Sequence, residues 1–244
     1  MNLIRKGHGH THRGVIGVES AIVMIAFVIV AAALAFVVLN MGFSTTQKAK
    51  TTIISSLGEA SSSLEVAGKV IGSGHITDAK LNVTAVPLKI ASGGESVNLA
   101  PGTASVKYLS NSITYDDIYQ GTLTAAADGD GDPNDNGEWY QLRQAVDDAT
   151  AAGGGQNYCT NDPFDAGGAN FPNETCAFIY WTVNSNNNDI LDQGEHAVLA
   201  IVFADDDRPS ALDTMRAEII LPTGASLTVE RQVPSITTSV VDLG

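Results

Sequence analysis

The fold of this 244-residue chain is decided by the stretch AIVMIAFVIVAAALAFVVL, residues Ala21–Leu39. A helix of these residues is roughly 28 Å long at about 1.5 Å per residue, close to the hydrocarbon thickness of a bilayer. No charged residue lies between Glu19 and Lys48, whereas an ordinary surface helix would show a polar stripe. This helix therefore needs lipid or other apolar helices around it.

A short basic leader precedes the apolar stretch. Residues 1–14 read MNLIRKGHGHTHRG, and their cations are Arg5, Lys6 and Arg13. A secretory signal peptide would place a small-residue cleavage site after its apolar region, and no such site follows Leu39. We therefore expect the apolar segment to remain in the mature protein.

Cleavage after Gly14 would give a mature chain that begins VIGVE, with Glu19 as its fifth residue. A cut at Lys6-Gly7 is the alternative, but it would leave the largely polar residues His8–Gly14 ahead of the helix. We favour Gly14. The cut then frees an α-amino group on Val15, about one helical turn from Glu19.

These residues resemble the archaellins, the subunits of the archaeal swimming filament, which share a class III signal peptide with type IV pilins. The resemblance rests on Arg13-Gly14 followed by VIGVESAIVMIAFVIVAAALAFVVLNMGF, residues 15–43. A second, less specific match is AEIILPTGASLTVERQVPS, residues 217–235, which is similar to the last strands of an archaellin head.

The resemblance implies both a processing site and a set of partners. A prepilin-peptidase-like enzyme in the membrane would cut at the site formed by Arg13, Gly14 and Val15, and membrane machinery would assemble the product. The precursor would lie in the cytoplasmic membrane, and the mature chain in an extracellular filament with identical or sister subunits. The long helix would pack in the filament core beneath an outward β-sandwich head.

Glu19 has two interpretations. A carboxylate at the edge of an apolar span costs a few kcal/mol unless it is neutralised or paired. The new amino group of Val15, on the same chain or a neighbour, could pair with it and set the axial register between helices. Alternatively, Glu19 lies in the headgroup region, where the positive end of the helix dipole favours its charge.

The helix surface favours packing on every side. Ala31–Ala33 and Ala35 leave room for close approach of backbones, as in packed membrane helices. The larger apolar residues cover all faces, so an assembly in water must surround the helix. The predicted assembly residues are Val15, Glu19, Ile22, Ile25, Ile29, Leu34 and Phe36. The alternative is a lone membrane anchor.

An amphipathic extension follows Phe43, with apolar residues at spacings of three and four as far as Ile71. Gly72-Ser-Gly74 gives a helix stop signal. We therefore predict three segments: 1–14 as a removed signal peptide, 15–72 as a filament-core helix, and 73–244 as the outer domain.

The outer domain is predicted to be an antiparallel, Ig-like β-sandwich, which makes the whole chain α+β. Its strand-like runs are 80–90, 104–109, 112–123, 177–183, 197–203, 217–221 and 226–233. The run after His196, AVLAIVF, is the most continuously apolar and should be a central strand. Residues 138–152 show helical spacing and predict one short helix.

Charge and cysteine usage place the outer domain outside the cell. The formal net charge is −14, and loss of the leader cations makes it more negative, so nucleic acid is not a partner. Cys159 and Cys176 are the only cysteines. In an oxidising compartment such a pair most often forms a disulfide, and two reduced thiols are the alternative.

Two N-glycosylation sequons lie on the side that the positive leader predicts to be exported. They are Asn82-Val-Thr84 and Asn173-Glu-Thr175. Asn173, between a proline and a cysteine in a polar loop, is expected to be the more exposed.

Two polar loops suggest calcium, a hard cation that prefers many oxygen ligands. The first alternates acidic residues with glycine and offers Asp128, Asp130, Asp132 and Asn134. The second, Asn184–Glu195, has oxygen residues at several EF-hand positions but Asp189 in place of the required glycine. A solvated polar turn is the alternative for both loops. A third acidic run, Asp205–Asp207, is predicted to be a hydrated turn. No cofactor is required.

Catalysis has little support, because the sequence has no phosphate loop and no nucleophile motif. The leading prediction is therefore a structural filament subunit and not an enzyme. An adhesion pilin is the alternative from the same machinery. A helix-anchored extracellular enzyme or binding protein is the alternative from another class.

Overall fold

A computed structural model describes residues 13–61, 64–123, 138–150, 157–164, 171–222 and 224–244. The chain divides after Ser55 into two compact units. The first holds most of one long helix. The second, Ser56–Gly244, is a β-rich domain that we call the head.

The long helix, α1, runs from Arg13 to Ser61. Its segment Gly17–Leu57 is long and apolar enough to cross a membrane, by length and composition. Many of its residues are β-branched, which in water would disfavour a helix slightly. Only a helix, however, satisfies the backbone hydrogen bonds of an apolar segment internally.

The predicted helix end at Gly72 is corrected, because α1 ends at Ser61. Strand β1, Leu64–Val66, follows and pairs with the end of β3, Lys80–Ile90. Leu64 is 5% exposed and belongs to the head core. Leu64 follows the preceding apolar residues at a helical spacing, but this spacing does not make Leu64 part of the helix. Its burial in the head decides its conformation.

The head contains two main sheets. Besides β1 and β3, the described strands of the first sheet are β2 (Ile71–His75), β7 (Tyr119–Thr122), β8 (Cys176–Val183), β10 (His196–Val202) and β13 (Val240–Asp242). Their order is β13-β2-β3-β10-β8-β7, with β1 also paired to β3.

The strands of the second sheet are β5 (Ser105–Ser110), β6 (Thr114–Tyr115), β11 (Thr214–Ile220) and β12 (Leu227–Gln232). Their order is β12-β11-β5-β6. A small pair consists of β4 (Val97–Asn98) and β9 (Ile190–Leu191). The two main sheets share one core, where Tyr108 and Phe203 lie with ring centroids 5.5 Å apart.

The central position predicted for the apolar run after His196 is confirmed. Strand β10 lies between β3 and β8 and is antiparallel to both. Every residue from Ala197 to Val202 is buried, as expected for a strand covered on both faces. One pair, β7 with β8, is parallel.

The predicted strand 112–123 is two strands, because the chain crosses between the sheets. Strand β6 belongs to the second sheet and β7 to the first. The Asp117 carboxylate sits at the crossing and accepts hydrogen bonds from the backbone N–H groups of Val106 and Tyr119, at 3.2 and 3.1 Å. These bonds fix the turn between the strands.

The glycines that predicted a helix stop belong instead to β2. A Cβ on Gly74 would lie 2.6 Å from the Ile236 side chain, and one on Gly72 3.0 Å from Leu81. Glycine is therefore needed there for close packing. The short helix is confirmed, although α2 spans only Leu142–Ala149.

Candidate assembly helix and head surface

The surface of α1 is apolar and uncovered. Its large apolar side chains between Val18 and Leu57 are 51% to 74% exposed. They include the predicted assembly residues Ile22, Ile25, Ile29, Leu34 and Phe36. Exposed area of this extent is the mark of an interaction surface.

Several hydroxyls in the polar second half of α1 form hydrogen bonds within the helix. The hydroxyls of Thr45, Thr46 and Thr52 each donate to the carbonyl oxygen four residues earlier, at 2.8 to 2.9 Å. Because these hydroxyl donors are satisfied within the helix, the three threonines can enter an apolar environment without losing these hydrogen bonds.

A long uncharged stretch of α1 separates Glu19 from Lys48 and Lys50. Glu19 is exposed near the start, and Lys48 and Lys50 are exposed in the second half. Arg13, Gly14 and Val15, the predicted processing site, form the start of the helix; their side-chain environments lie outside the described residues.

The predicted disulfide is present between Cys159 and Cys176, with Cα atoms 5.9 Å apart. Both cysteines are buried. The bridge joins the loop after α2 to the first residue of β8.

The two sequons differ in accessibility. Asn82 is 4% exposed; its Nδ2 donates to the Pro163 carbonyl at 2.7 Å, and its Oδ1 accepts from Arg208 at 3.3 Å. The folded head thus leaves no space for a glycan on that nitrogen. Asn173 is exposed, as expected.

Thr175, the third residue of the Asn173 sequon, is buried. Its hydroxyl donates to Asp207 at 2.7 Å and accepts from the Ala204 N–H at 3.1 Å. Asp205–Asp207 is therefore not merely a hydrated turn. It is a 3-10 turn whose carboxylates hold neighbouring loops.

Arg208 organises the same end of the head, a role that the sequence analysis missed. Its side chain is 5% exposed and forms ion pairs with Asp78 at 3.1 Å and Asp205 at 2.6 Å. The hydrogen bond from Arg208 holds the pKa of Asp78 below its usual value. In the sequence, Arg208 looks like an ordinary surface cation that follows an acidic run. Only its contacts with loops distant in the sequence distinguish it from such a residue.

The second calcium candidate is explained by internal hydrogen bonds. Glu195 is 2% exposed, and its carboxylate accepts from the backbone N–H groups of Ser185 and Asp192, at 2.8 and 2.9 Å. Asn184 likewise caps the loop by accepting from the Asn187 N–H at 2.9 Å. These side-chain oxygens accept hydrogen bonds from backbone N–H groups within the loop and so hold the turn.

Within the described ranges, no group of three or more His, Cys, Asp or Glu side chains is placed to hold a metal ion. The first calcium candidate, with Asp128, Asp130, Asp132 and Asn134, lies outside those ranges.

Comparisons with known proteins agree with this architecture. The family model for archaeal-type flagellin matches residues 14–231. The chain is 32% identical over 227 residues to "Probable flagellin 1" of Aeropyrum pernix, which covers 91% of this chain and 93% of that protein. It is 34% identical over 114 residues to flagellin FlaB2 of Saccharolobus shibatae, covering 46% of this chain and 37% of that protein.

Two solved structures share the fold. The archaeal flagellum of Methanospirillum hungatei aligns with a TM-score of 0.54 at 22% identity, covering 92% of this chain and 98% of that chain. The crystal structure of archaeal flagellin FlaB1 from Methanocaldococcus jannaschii aligns with a TM-score of 0.52 at 14% identity, covering 75% of this chain and 96% of that chain.

Proposed function

The chain belongs to the archaeal-type flagellin family, and on that premise we propose that it polymerises into the archaeal swimming filament through α1. It is a structural subunit and not an enzyme. The observation that carries the mode of assembly is the uncovered apolar surface of α1, where side chains such as Ile25, Ile29 and Phe36 are at least 60% exposed.

The energetics favour assembly through this surface. Full burial of one large apolar side chain contributes about 1.5–3 kcal/mol. Ten such side chains would contribute on the order of 15–30 kcal/mol relative to exposure to water, so in an extracellular filament α1 must remain covered by other subunits. Copies of α1 are suitable partners, because they offer the same apolar surface and the same small residues for close approach.

Before assembly, the precursor resides in the cytoplasmic membrane with its basic leader inside. The length and composition of Gly17–Leu57 suit a membrane span, and the leader cations suit the cytoplasmic side. The head is then exported, and the finished filament is extracellular. Membrane assembly machinery and sister subunits are the further partners.

A prepilin-peptidase-like enzyme cuts between Gly14 and Val15. N-terminal sequencing of protein from purified extracellular filaments tests this step. A start at Val15 supports it, a start at His8 would place the cut after Gly7, and an uncut chain would argue against a processed filament subunit.

Glu19 pairs with the new amino group of Val15 in the assembled filament and sets the register. Glu19→Gln keeps the shape of the side chain but removes its charge. We expect it to reduce filament length or yield, whereas Lys50→Gln should have a smaller effect. Filaments of normal length and yield from Glu19→Gln would argue for the headgroup interpretation.

Asn173 is the glycosylated sequon, because its side chain is exposed while Asn82 is buried. Mass spectrometry of filament peptides tests both positions.

Calcium binding by Asp128, Asp130, Asp132 and Asn134 is proposed from their spacing alone. Calcium titration of filaments, compared with an Asp130→Asn variant, tests it.

The filament propels the cell. Deletion of the gene should abolish swimming while leaving attachment to surfaces. Loss of attachment alone would favour an adhesion pilin.

A further inference from the structure

A cleft of about 480 Å³ lies beside Asn173 in the head. Its walls include Tyr115, Phe171, Pro172 and the turn Asp205–Asp207. We call it the Asn173 cleft. Its volume falls in the range of small-molecule sites, about 300–1,000 Å³.

The chemistry of the walls suits a saccharide. A sugar ring presents C–H groups on its faces and hydroxyls at its edge. The surface of the cleft is mainly polar, and the partly exposed rings of Tyr115 and Phe171 add a smaller apolar area for the C–H faces. The carboxylates of Asp205–Asp207 are acceptors for hydroxyl donors.

The walls are already held in place within the head. Arg208 Cζ lies 4.3 Å from the centroid of the Phe171 ring, and His75 meets the same ring edge-on at 6.3 Å. The Tyr115 hydroxyl donates to Asp207 at 2.8 Å. A preorganised site loses less freedom when it is filled.

The attachment point itself lies in the wall. Asn173 is two residues after Phe171, and its backbone N–H donates to Thr160 Oγ1 at 3.3 Å. The Cys159–Cys176 disulfide closes the segment that carries both residues. A sugar on Asn173 is therefore tethered beside the cleft, where its effective concentration is high.

We propose that the first sugar of a glycan on Asn173 packs in the Asn173 cleft, against Phe171 and Tyr115, and donates hydrogen bonds to Asp205–Asp207. This inference rests on the proposed glycosylation of Asn173. The carboxylates would repel an acidic sugar, so the first sugar is a neutral hexose or N-acetylhexosamine and not a uronic acid.

The test begins with filaments from the native cell. Mass spectrometry determines whether Asn173 is modified and which sugar is attached to it. An unmodified Asn173 would refute the glycosylation proposal and this inference with it. A glycan that begins with a uronic acid would overturn this inference alone.

A thermal-unfolding cycle then measures the contact. The four proteins are the wild type, Asn173→Gln, Phe171→Leu and the double variant, each purified from the same host. We expect loss of the glycan to lower the unfolding temperature of the head by about 2–4 °C when Phe171 is present and by clearly less when it is replaced by leucine. Gln193→Asn, the reverse amide change at an exposed turn position of the head, is the control and should cause no shift.

An effect of Asn173→Gln that is independent of Phe171 would overturn the inference while leaving glycosylation intact. In that case the substitution lowers the unfolding temperature equally in the wild-type protein and in the Phe171→Leu variant. Cryo-electron microscopy of the filaments gives a second readout. Density for the first sugar over Phe171 supports the proposal, and density pointing into solvent contradicts it.

Discussion

The guanidinium of Arg208 stacks on Phe171, with its Cζ atom 4.3 Å from the ring centroid, and so joins the loop after β10 to the loop before β8. Ion pairs to Asp78 and Asp205 tie the same cation to two further positions. One side chain therefore connects loops that are far apart in the sequence.

Replacing Arg208 should loosen this end of the head. Arg208→Met leaves the buried Asn82 Oδ1 without its donor, while Asp78 and Asp205 can hydrate because they are 39% and 57% exposed. We expect a loss of about 2–4 kcal/mol in the free energy of unfolding. Chemical denaturation of the purified protein measures it.

Arg143→Met is the matched control. Arg143 also stacks on an aromatic ring, Phe164, at 5.1 Å, but its side chain is 59% exposed. We expect a loss below about 1 kcal/mol. Equal losses for the two variants would refute the joining role of Arg208.

The buried tyrosines Tyr108 and Tyr119 should respond differently to removal of the hydroxyl. Tyr108 is fully buried, and its hydroxyl has no hydrogen-bond partner among the described residues. The Tyr119 hydroxyl donates to the Leu99 carbonyl. Tyr108→Phe should therefore be neutral or stabilising, whereas Tyr119→Phe should lose about 1–2 kcal/mol.

Alkaline denaturation checks the same residue independently. Burial raises the pKa of Tyr108 to about 12. In the unfolded chain the same tyrosine ionises at a lower pH, about 10. The stability that the neutral Tyr108 side chain contributes is therefore present below about pH 10 and is lost as the pH rises toward 12. Tyr108→Phe should reduce that alkaline loss, and an unchanged alkaline profile would contradict the assignment.

Asp213 should make the head sensitive to acid. Hydrogen bonds from the backbone N–H and the hydroxyl of Ser210, each at 2.8 Å, hold the pKa of Asp213 below its usual value. The pKa of an aspartate in the unfolded chain is about 3.9. The stability that the ionised Asp213 contributes is present above this pH and is lost as the pH falls below it.

Denaturation curves at several values between about pH 6 and pH 2 test this dependence. Asp213→Asn should flatten the acid loss, and Ser210→Ala should give an intermediate result because the backbone donor remains. If both variants follow the wild-type curve, Asp213 is not a source of the acid sensitivity.

The disulfide should stabilise the head mainly by restricting the unfolded chain. Its cysteines are 17 residues apart, so the double substitution Cys159→Ser with Cys176→Ser should lose about 3 kcal/mol. Thermal unfolding with and without a reductant measures it. Reductant should lower the unfolding temperature of the wild type and leave that of the double variant unchanged.

A charge in the apolar part of α1 should prevent assembly without unfolding the head. Ile29→Glu places a carboxylate on a surface that must become buried, whereas Gln47→Glu places one in the polar half. Electron microscopy should show no filaments for Ile29→Glu and many for Gln47→Glu. Both heads should unfold at the wild-type temperature, because α1 and the head are separate units.

The sequence by itself determined the long helix and the most apolar strands. An uninterrupted apolar stretch can satisfy its backbone only as a helix, and the runs that became β3 and β10 are too apolar to lie outside the core. It also predicted the disulfide and the more exposed of the two sequons, because both follow from composition and immediate neighbours.

Tertiary structure alone decided where α1 stops and which polar residues lie inside. Leu64 continues the helical spacing, but pairing with Ile90 places it in the head. Asn82 and Arg208 have polar side chains typical of a surface, but they meet across 126 positions of sequence and are buried together. Such contacts depend on segments that come together only when the sheets form, and no local pattern encodes them.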